Sequence, residues 1–331
     1  MNPSIHFDGE TWRCVLRCCD YCMRGGVTVR SRKAGGGVRT KNALVIFDPN
    51  RWRPIEIYKM RERDDLARSQ SDNVGYEDIR IFRTEWGGLQ GIAASQHLRR
   101  RSGGLLSEQV LLSFDDRYDI VEAQPIRGGF WSDLPQKNWV PFDCCVDPRF
   151  LYSIVRGTLF NERGELHASD ARVRLSRMGP VSTAGSEKDV RRALERAHEC
   201  EEDRARRKPE HGRQPSFGNV DPVPGYDALR GGTQLVRVGD DAWLGIGHAM
   251  KFVDKLKYYF HVWYLVDSRG VMQSASPPMK LAPNGIEFAA GIALDGERVV
   301  VSFGVDDMEA KIGETRLSAV MEMLKPIARP S

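Results

Sequence analysis

Short apolar runs rich in Val, Ile, Leu, Phe and Tyr recur along most of the chain. Turn-forming stretches such as FDPN, EWGG and LDGE separate them, and the runs follow one another roughly every ten residues, which is typical of consecutive β-hairpins. This pattern predicts an all-β protein, either a sandwich, a barrel or a propeller. The clearest predicted strands are ALVIF (43–47), QVLLSF (109–114), YYFHVWYLVD (258–267) and RVVVSFGV (298–305).

The length of 331 residues favours the propeller among these three architectures. Radial repetition lets four-stranded blades build a large domain without a long exposed sheet edge. We therefore predict a single domain over residues 1–331.

One segment, residues 161–229, interrupts the strand pattern and predicts an insertion between two blades. Within it, residues 186–208 have apolar positions at helical spacing, and Ser186 is a suitable N-cap. A Pro- and Gly-rich loop follows over residues 209–225. A solvated helix, a lid over the site and a dimer contact all remain open for this insertion. A second, late helix is predicted near residues 314–324.

Composition and charge exclude several functional classes. The net charge of +4 is small for this length, which argues against a dedicated nucleic-acid binder. No apolar run reaches the ~18 residues that would span a bilayer, so no membrane association is expected. The N-terminal stretch also lacks a basic-then-apolar signal layout, and we expect a cytoplasmic protein.

The seven cysteines include a Cys19-x-x-Cys22 pair with the spacing of zinc ligands. A structural zinc site needs four ligands, and a second such pair is missing, so no metal site is predicted. Alternation along a strand instead places Cys14 and Cys18 on one face with Trp12 and Leu16. This favours buried thiols that act as small apolar groups.

An ordered series of short motifs resembles a known family almost from end to end, except in 161–229. The motifs are NPSI with DGE, the Arg17–Tyr21 stretch, KN (41–42), GYEDIR (75–80), QKNWVPF (136–142), GGT (231–233), WLGIGH (243–248), YLVD (264–267) and SFGVDD (302–307). Together they resemble the five-bladed β-propeller glycosidases, most closely glycoside hydrolase family 130, which comprises mannoside phosphorylases and related β-mannosidases. The resemblance implies a five-bladed propeller that cleaves or transfers a β-linked, mannoside-like glycoside with inversion.

The resemblance also implies a catalytic acid. In that family a Glu-Asp-Pro-Arg motif supplies the carboxylic acid that protonates the leaving sugar. The matching residues here are Glu77, Asp78 and Arg80, with Ile79 in the place of the proline. Asp78 is therefore the expected general acid, and Glu77 and Arg80 are expected to bind substrate beside it.

Other positions of the series match residues that hold phosphate or sugar in that family. Lys137 and His248 are the expected phosphate ligands, which makes inorganic phosphate a candidate co-substrate and leaves no other cofactor implied. The remaining expected substrate-binding residues are Arg17, Asn138, Glu287 and Asp307.

Glycoside cleavage passes through an oxocarbenium-like state that needs a proton donor and a nucleophile. An acid at Asp78 requires a raised pKa, through burial or a nearby like charge. Adjacent strand residues point to opposite faces, so Glu77 supplies that charge only if a bulge intervenes. Arg80 shares the face of Asp78 and acts in the opposite direction on its pKa.

Several alternatives remain open from the sequence alone. The reaction is phosphorolysis or hydrolysis, and the partner is an oligosaccharide or glycoside. A non-catalytic glycan-binding propeller, including one associated with a glycosyltransferase, is the principal alternative, and a protein-interaction platform is a third. Asp78 and Arg80 could also form a purely structural ion pair. Oligomerisation is compatible with the sequence.

Overall fold

The computed structural model describes residues 1–24, 27–30, 39–63, 75–99, 105–126, 137–143, 145, 148–154, 158–161, 229–253, 256–282 and 285–327. The helix predicted over 186–208 and the loop over 209–225 lie outside these residues. Of the predicted insertion 161–229, only the two end residues are described.

The first third of the chain forms two four-stranded antiparallel sheets and a hairpin. The first sheet has the order β1-β2-β5-β6, and the hairpin β3-β4 lies between β2 and β5 in sequence. The second sheet has the order β7-β8-β9-β10. The strands are β1 (Pro3–Phe7), β2 (Trp12–Cys19), β3 (Tyr21–Arg24), β4 (Val27–Arg30), β5 (Thr40–Phe47), β6 (Pro54–Lys59), β7 (Glu77–Arg83), β8 (Leu89–Arg99), β9 (Leu105–Phe114) and β10 (Ile120–Pro125).

The remaining strands form three further sheets, β11-β12-β13, β14-β16-β17-β18-β22 with β15 beside β16, and β19-β20-β21. Their bounds are β11 (Val140–Pro141), β12 (Arg149–Ser153), β13 (Thr158–Asn161), β14 (Arg230–Gly231), β15 (Val236–Gly239), β16 (Ala242–Val253), β17 (Leu256–Val266), β18 (Met272–Ala275), β19 (Glu287–Asp295), β20 (Arg298–Val305), β21 (Glu309–Arg316) and β22 (Lys325–Pro326). A short helix, α1 (Leu317–Met323), joins β21 to β22 and buries Val320, which agrees with the late helix predicted from the sequence.

The all-β propeller predicted from the sequence is confirmed by this arrangement. Four blades are shown, and the predicted number of five is not confirmed. The third sheet is the reason, because its strands have only two, five and four described residues.

Apolar side chains fill the spaces between neighbouring sheets. Strand β20 illustrates why its sequence reads as one apolar run. Val299 and Val301 pack toward the fourth sheet, whereas Val300 points the other way, toward the first sheet. Because alternate residues of a strand face opposite sides, a strand packed on both faces must be apolar throughout.

Polar side chains tie the inner strands together near the centre of the molecule. The buried amide of Gln234 donates to the carbonyl oxygens of Ile5 in the first sheet, at 2.7 Å, and Ile292 in the fifth, at 2.6 Å. Ser4 accepts a hydrogen bond from the backbone N–H of Ile81 in the second sheet at 3.0 Å. Four of the sheets are thus joined through buried hydrogen bonds that have no competing water.

The thiols correct one sequence expectation. Cys14 and Cys145 are buried, as expected for small apolar groups, but Cys18 is exposed and Cys19 is partly exposed. The strand therefore does not bury Cys18 with Trp12 and Cys14, because β2 ends at Cys19 and turns into the β3–β4 hairpin. In the part of the chain that the structure describes, no helix is long and apolar enough to cross a membrane.

Replacing Gln234 with leucine tests the central hydrogen bonds. The variant leaves the carbonyl oxygens of Ile5 and Ile292 buried without this donor, and we expect the free energy of unfolding to fall by about 2–4 kcal/mol. Urea denaturation followed by tryptophan fluorescence measures the change. The matched control is Gln124→Leu on the exposed side of β10, which should change stability by less than about 0.5 kcal/mol.

Candidate active site

A β-bulge at the start of β7 determines where the acidic motif points. The pairing of β7 with β8 slips between Glu77 and Arg80, and Asp78 has a left-handed backbone with φ of 52°. As a result, two adjacent carboxylates reach the same guanidinium. Nη1 of Arg17 lies 2.9 Å from Oδ1 of Asp78, and Nη2 lies 3.5 Å from Oε1 of Glu77. The bulge is the exception to strand alternation that the sequence analysis left open.

Asp78 is held as a charged carboxylate. Its Oδ1 accepts hydrogen bonds of 2.9 Å from both Arg17 and the amide of Asn2. Burial would raise the pKa of Asp78, but Arg17 opposes it, followed by Asn2, Arg80 and Lys137, and the pKa falls to about 2. The predicted general acid thus has a pKa shifted in the opposite direction from the one an acid requires.

Arg17 acts as the bracket of the site. It is buried, and its Nη2 donates to the hydroxyl oxygen of Tyr21 at 3.0 Å. Burial disfavours its charge, but Asp78 and Glu77 outweigh burial and raise its pKa. Its terminal nitrogens are therefore already engaged by protein groups, which argues against a direct role in holding phosphate.

Arg80 is also buried, but it binds backbone and amide oxygens. Its Nε donates to the carbonyl of Gly232, its Nη2 donates to Oδ1 of Asn138 at 3.1 Å, and its guanidinium lies 5.6 Å from the ring centre of Phe288. Burial lowers the pKa of Arg80 to about 10, although Asp78 counteracts it. Gly232 allows this approach, because a β-carbon there would lie 2.4 Å from the carbonyl oxygen of Ile246.

Lys137 and His248, the predicted phosphate ligands, occupy different environments. Nζ of Lys137, which is half-exposed, lies 3.0 Å from Oε2 of Glu77. His248 is buried, with its ring centre 5.0 Å from that of Phe288 and 5.3 Å from that of Tyr259. Burial, followed by His261 and two arginines, lowers its pKa well below the ordinary value. His248 is therefore neutral and offers no positive charge to a phosphate.

Asp307 lies in the turn between β20 and β21. Asp306 and Asp307 both have left-handed backbones, with φ of 52° and 53°, and the N–H of Met308 donates to the carbonyl of Val305 at 2.9 Å. The hydroxyl of Tyr21 hydrogen-bonds to Asp307. Burial raises the pKa of Asp307, and the charge of Asp78 raises it further.

Glu287 is the one predicted site residue that the structure separates from the others. It is fully buried, its Oε1 accepts a 2.9 Å hydrogen bond from the N–H of Leu281, and its Oε2 lies 3.5 Å from Nζ of Lys280. Burial raises its pKa. The carboxylate supports the loop that precedes β19, and none of its described partners is shared with Asp78.

The other predicted residues form one connected group around Asp78. They are Arg17, Glu77, Arg80, Lys137, Asn138, His248 and Asp307, linked by the contacts and charge effects above.

Sequence reasoning missed several residues of the same group. Asn2 and Tyr21 contact Arg17 or Asp78 directly, and Phe288 contacts Arg80 and His248. The charges of Arg230 and Asp307 affect the pKa values of His248 and Tyr259, respectively. Asn2 and Tyr21 lie inside motifs quoted for the resemblance, so those motifs contained the signal. Arg230 and Phe288 lie outside them and had none.

The described residues contain no group of three or more His, Cys, Asp or Glu side chains that could hold a metal ion. The chemistry available at this site is therefore that of two carboxylates, Asp78 and Asp307, in different charge environments.

Comparisons with known proteins give structural relatives only. No family model and no curated protein sequence matches this chain. The solved structures include one of the GH130 family of mannoside phosphorylases, which contains glycoside hydrolases that target β-1,2-mannosidic linkages in Candida mannan. It has 11% identity, a TM-score of 0.58, and coverage of 100% of this chain and 86% of the other.

Two further structures agree with it. A glycosyl hydrolase from Bacteroides ovatus has 9% identity and a TM-score of 0.51, covering 96% of this chain and 84% of its own. A β-1,2-mannobiose phosphorylase from Listeria innocua, in complex with β-1,2-mannobiose, has 10% identity and a TM-score of 0.50, covering 98% and 91%. At these identities the likeness establishes a shared fold.

Replacing Asp78 with asparagine tests the charge of this carboxylate. Its folded pKa of about 2 lies below the unfolded value of about 3.9, so the charge stabilises the fold above pH ~4, and this stabilisation is lost as the pH falls toward 2. We expect Asp78→Asn to lower the free energy of unfolding by about 2 kcal/mol at pH 6 and by progressively less between pH 5 and 3.

Denaturant titrations at each pH measure this difference. Asp116→Asn, in the exposed turn between β9 and β10, is the matched control and should leave the free energy of unfolding unchanged over the same range. A difference for Asp78→Asn that stays constant with pH would contradict the assigned charge.

Proposed function

We propose that this protein is a glycoside-cleaving enzyme whose active site is the group of residues around Asp78. The observation that carries the proposal is the pair of carboxylates held in opposite electrostatic environments, Asp78 by Arg17 and Asn2, and Asp307 by burial and Tyr21. Carboxyl groups whose pKa values are pushed apart serve as the charged and the protonated partner in glycoside cleavage.

The charged partner suits the transition state of this reaction. Positive charge develops at the anomeric carbon and ring oxygen as the glycosidic bond breaks. A carboxylate fixed in advance stabilises that charge without reorganising during the reaction. Arg17 and Asn2 both bind Oδ1 of Asp78, so Oδ2 is the oxygen that we assign to the substrate side.

Aromatic and amide groups beside the carboxylates support a sugar as the ligand. Phe288 and Tyr259 are partly exposed and flank His248. The C–H faces of pyranose rings pack on aromatic rings, and amides such as those of Asn2 and Asn138 hydrogen-bond to hydroxyl groups. We propose that a β-linked, mannoside-like glycoside binds here and is cleaved with inversion, in keeping with the names of the structural relatives.

Hydrolysis is favoured over phosphorolysis by the state of the cationic groups. Lys137 is paired with Glu77, Arg17 with Asp78 and Glu77, and His248 is neutral. A phosphate dianion would have to displace these carboxylates, whereas water needs no additional cation. Phosphorolysis remains the second candidate because Arg230, close enough to His248 to lower its pKa, has no ion pair among the described side chains.

The number of blades belongs to this proposal. Five apolar clusters separate five consecutive sheets, and β1 contacts both β7 and β19, which closes the ring. This supports the third sheet as a short fifth blade. Its first strand, β11, directly follows Lys137 and Asn138, and so brings both of them to the site.

Sugar release from a panel of β-mannosides, with and without phosphate, tests the proposed function. We expect the unmodified protein to release mannose at the same rate in both conditions. Asp78→Asn should lower kcat/KM by about 10³-fold or more, because it removes the fixed negative charge. Circular dichroism should show that the variant is folded under the assay conditions.

Other results identify the alternatives. Release of mannose 1-phosphate only when phosphate is present would establish phosphorolysis. Sugar binding in calorimetry without turnover of any glycoside would establish the glycan-binding propeller. An Asp78→Asn variant that loses stability but keeps full turnover would reduce the acidic motif to a structural ion pair.

A further inference from the structure

The two carboxylates of the site differ in the partners that they meet. Asp78 accepts charge-assisted hydrogen bonds from Arg17, and Lys137 pairs with the adjacent Glu77. Of the ion pairs formed by the described residues of the site, none includes Asp307, whose side-chain hydrogen bond comes from the neutral hydroxyl of Tyr21. The geometry therefore favours the ionised form of Asp78 and gives Asp307 no such preference.

Tyr21 connects the two carboxylates in one direction only. Its oxygen accepts a hydrogen bond from Nη2 of Arg17, so its single proton is available to Asp307. This bond orients one oxygen of the Asp307 carboxyl group. The other oxygen is then free to carry a proton toward a ligand.

The backbone at Asp307 also indicates a functional side chain. Two consecutive residues with positive φ are usual for glycine and asparagine in hairpin turns, because a β-carbon is disfavoured there. Here the chain keeps Asp306 and Asp307 at both positions. The side chain of Asp306 caps the N–H of Ile286 at 2.8 Å, whereas Asp307 has no comparable backbone partner. Local structure thus explains Asp306 and leaves the carboxyl group of Asp307 for the site.

Building on the proposed glycoside cleavage, we propose that Asp307 carries the proton that is delivered to the leaving glycosidic oxygen, while Asp78 remains the charged carboxylate beside the anomeric carbon. This reverses the role that the acidic motif implies for Asp78.

The step balances with water as the nucleophile. The O–H bond of the Asp307 carboxyl group breaks, and its proton passes to the glycosidic oxygen. The bond between the anomeric carbon and that oxygen breaks, and its electron pair stays on the oxygen of the leaving alcohol. Water forms the new bond to the anomeric carbon and releases one proton to solvent, and Asp307 recovers its proton from solvent.

The groups that face Asp307 act in both directions. Burial and the charge of Asp78 raise the pKa of Asp307, and Arg17, the amino group of Met1 and Tyr21 lower it, with a net upward shift. Cys19 and Tyr259 also lie within electrostatic range. Loss of the Asp78 charge should therefore make Asp307 easier to ionise.

Two substrates that differ in the leaving group test the assignment. β-Mannobiose needs a proton on its leaving oxygen, whereas the acidic phenol of 2,4-dinitrophenyl β-mannoside leaves without one. We expect Asp307→Asn to lower kcat/KM on β-mannobiose by about 10²–10⁴-fold and to retain the dinitrophenyl activity within about tenfold. Asp78→Asn should lower both activities. The control Asp306→Asn, which keeps the acceptor for Ile286, should retain both.

The opposite pattern would overturn the proposal. If Asp78→Asn keeps dinitrophenyl activity and Asp307→Asn loses both activities, Asp78 is the proton donor. If the unmodified protein cleaves neither glycoside, the proposed function itself fails, and this is distinguishable because the loss precedes any substitution.

Carboxyl NMR of protein labelled with ¹³C at the aspartate γ-carbon gives a readout that needs no turnover, with signals assigned by the two asparagine variants. We expect Asp307 to titrate above the ordinary value of about 3.9 and Asp78 below it, and Asp78→Asn to move the Asp307 midpoint downward. An Asp307 midpoint below that of Asp78 would overturn the proposal whatever the activity.

Discussion

The ion pair between Arg17 and Asp78 is the interaction on which the site depends. A guanidinium and a carboxylate taken out of water are costly unless each finds a partner, and these two find each other at 2.9 Å across the first and second sheets. The pair fixes the register of two blades, draws Glu77 to the same side through the β7 bulge, and fixes the charge that acts on Asp307. Removal of either partner leaves an uncompensated buried charge, so fold and chemistry share one constraint.

Positions with left-handed backbone concentrate around this pair. Asp78, Asn138, Asp306 and Asp307 all have φ between 52° and 63°. Such conformations raise the energy of residues other than glycine, and they persist where the surrounding structure holds them in place. Here the bulge, the β20–β21 turn and the close approach of Gly231 and Gly232 to neighbouring backbone provide that support. The chain therefore accepts local strain where polar side chains must point toward a common centre.

Arg80 shows how the same residue type can serve the fold. Its guanidinium joins β7 to the segment before β11, to the residue after β14 and to the ring of Phe288 on β19. Sequence motifs assign Arg80 to the substrate, but its contacts are mainly to protein groups from three other sheets. Its positive charge still acts on Asp78, so it contributes to the site mainly through position and charge.

The sequence by itself determined the all-β architecture, because strand periodicity and turn residues are local properties that survive without knowledge of contacts. It also determined most members of the site, since the acidic motif, Arg17, Lys137, Asn138, His248 and Asp307 were all identified before their proximity was known. Only the tertiary structure decided that Glu287 supports a loop away from Asp78, that His248 is neutral and that Asp78 is ionised. The physical reason is that a charge state depends on burial and on neighbours distant in sequence, and a single bulge changed which side chains share a face.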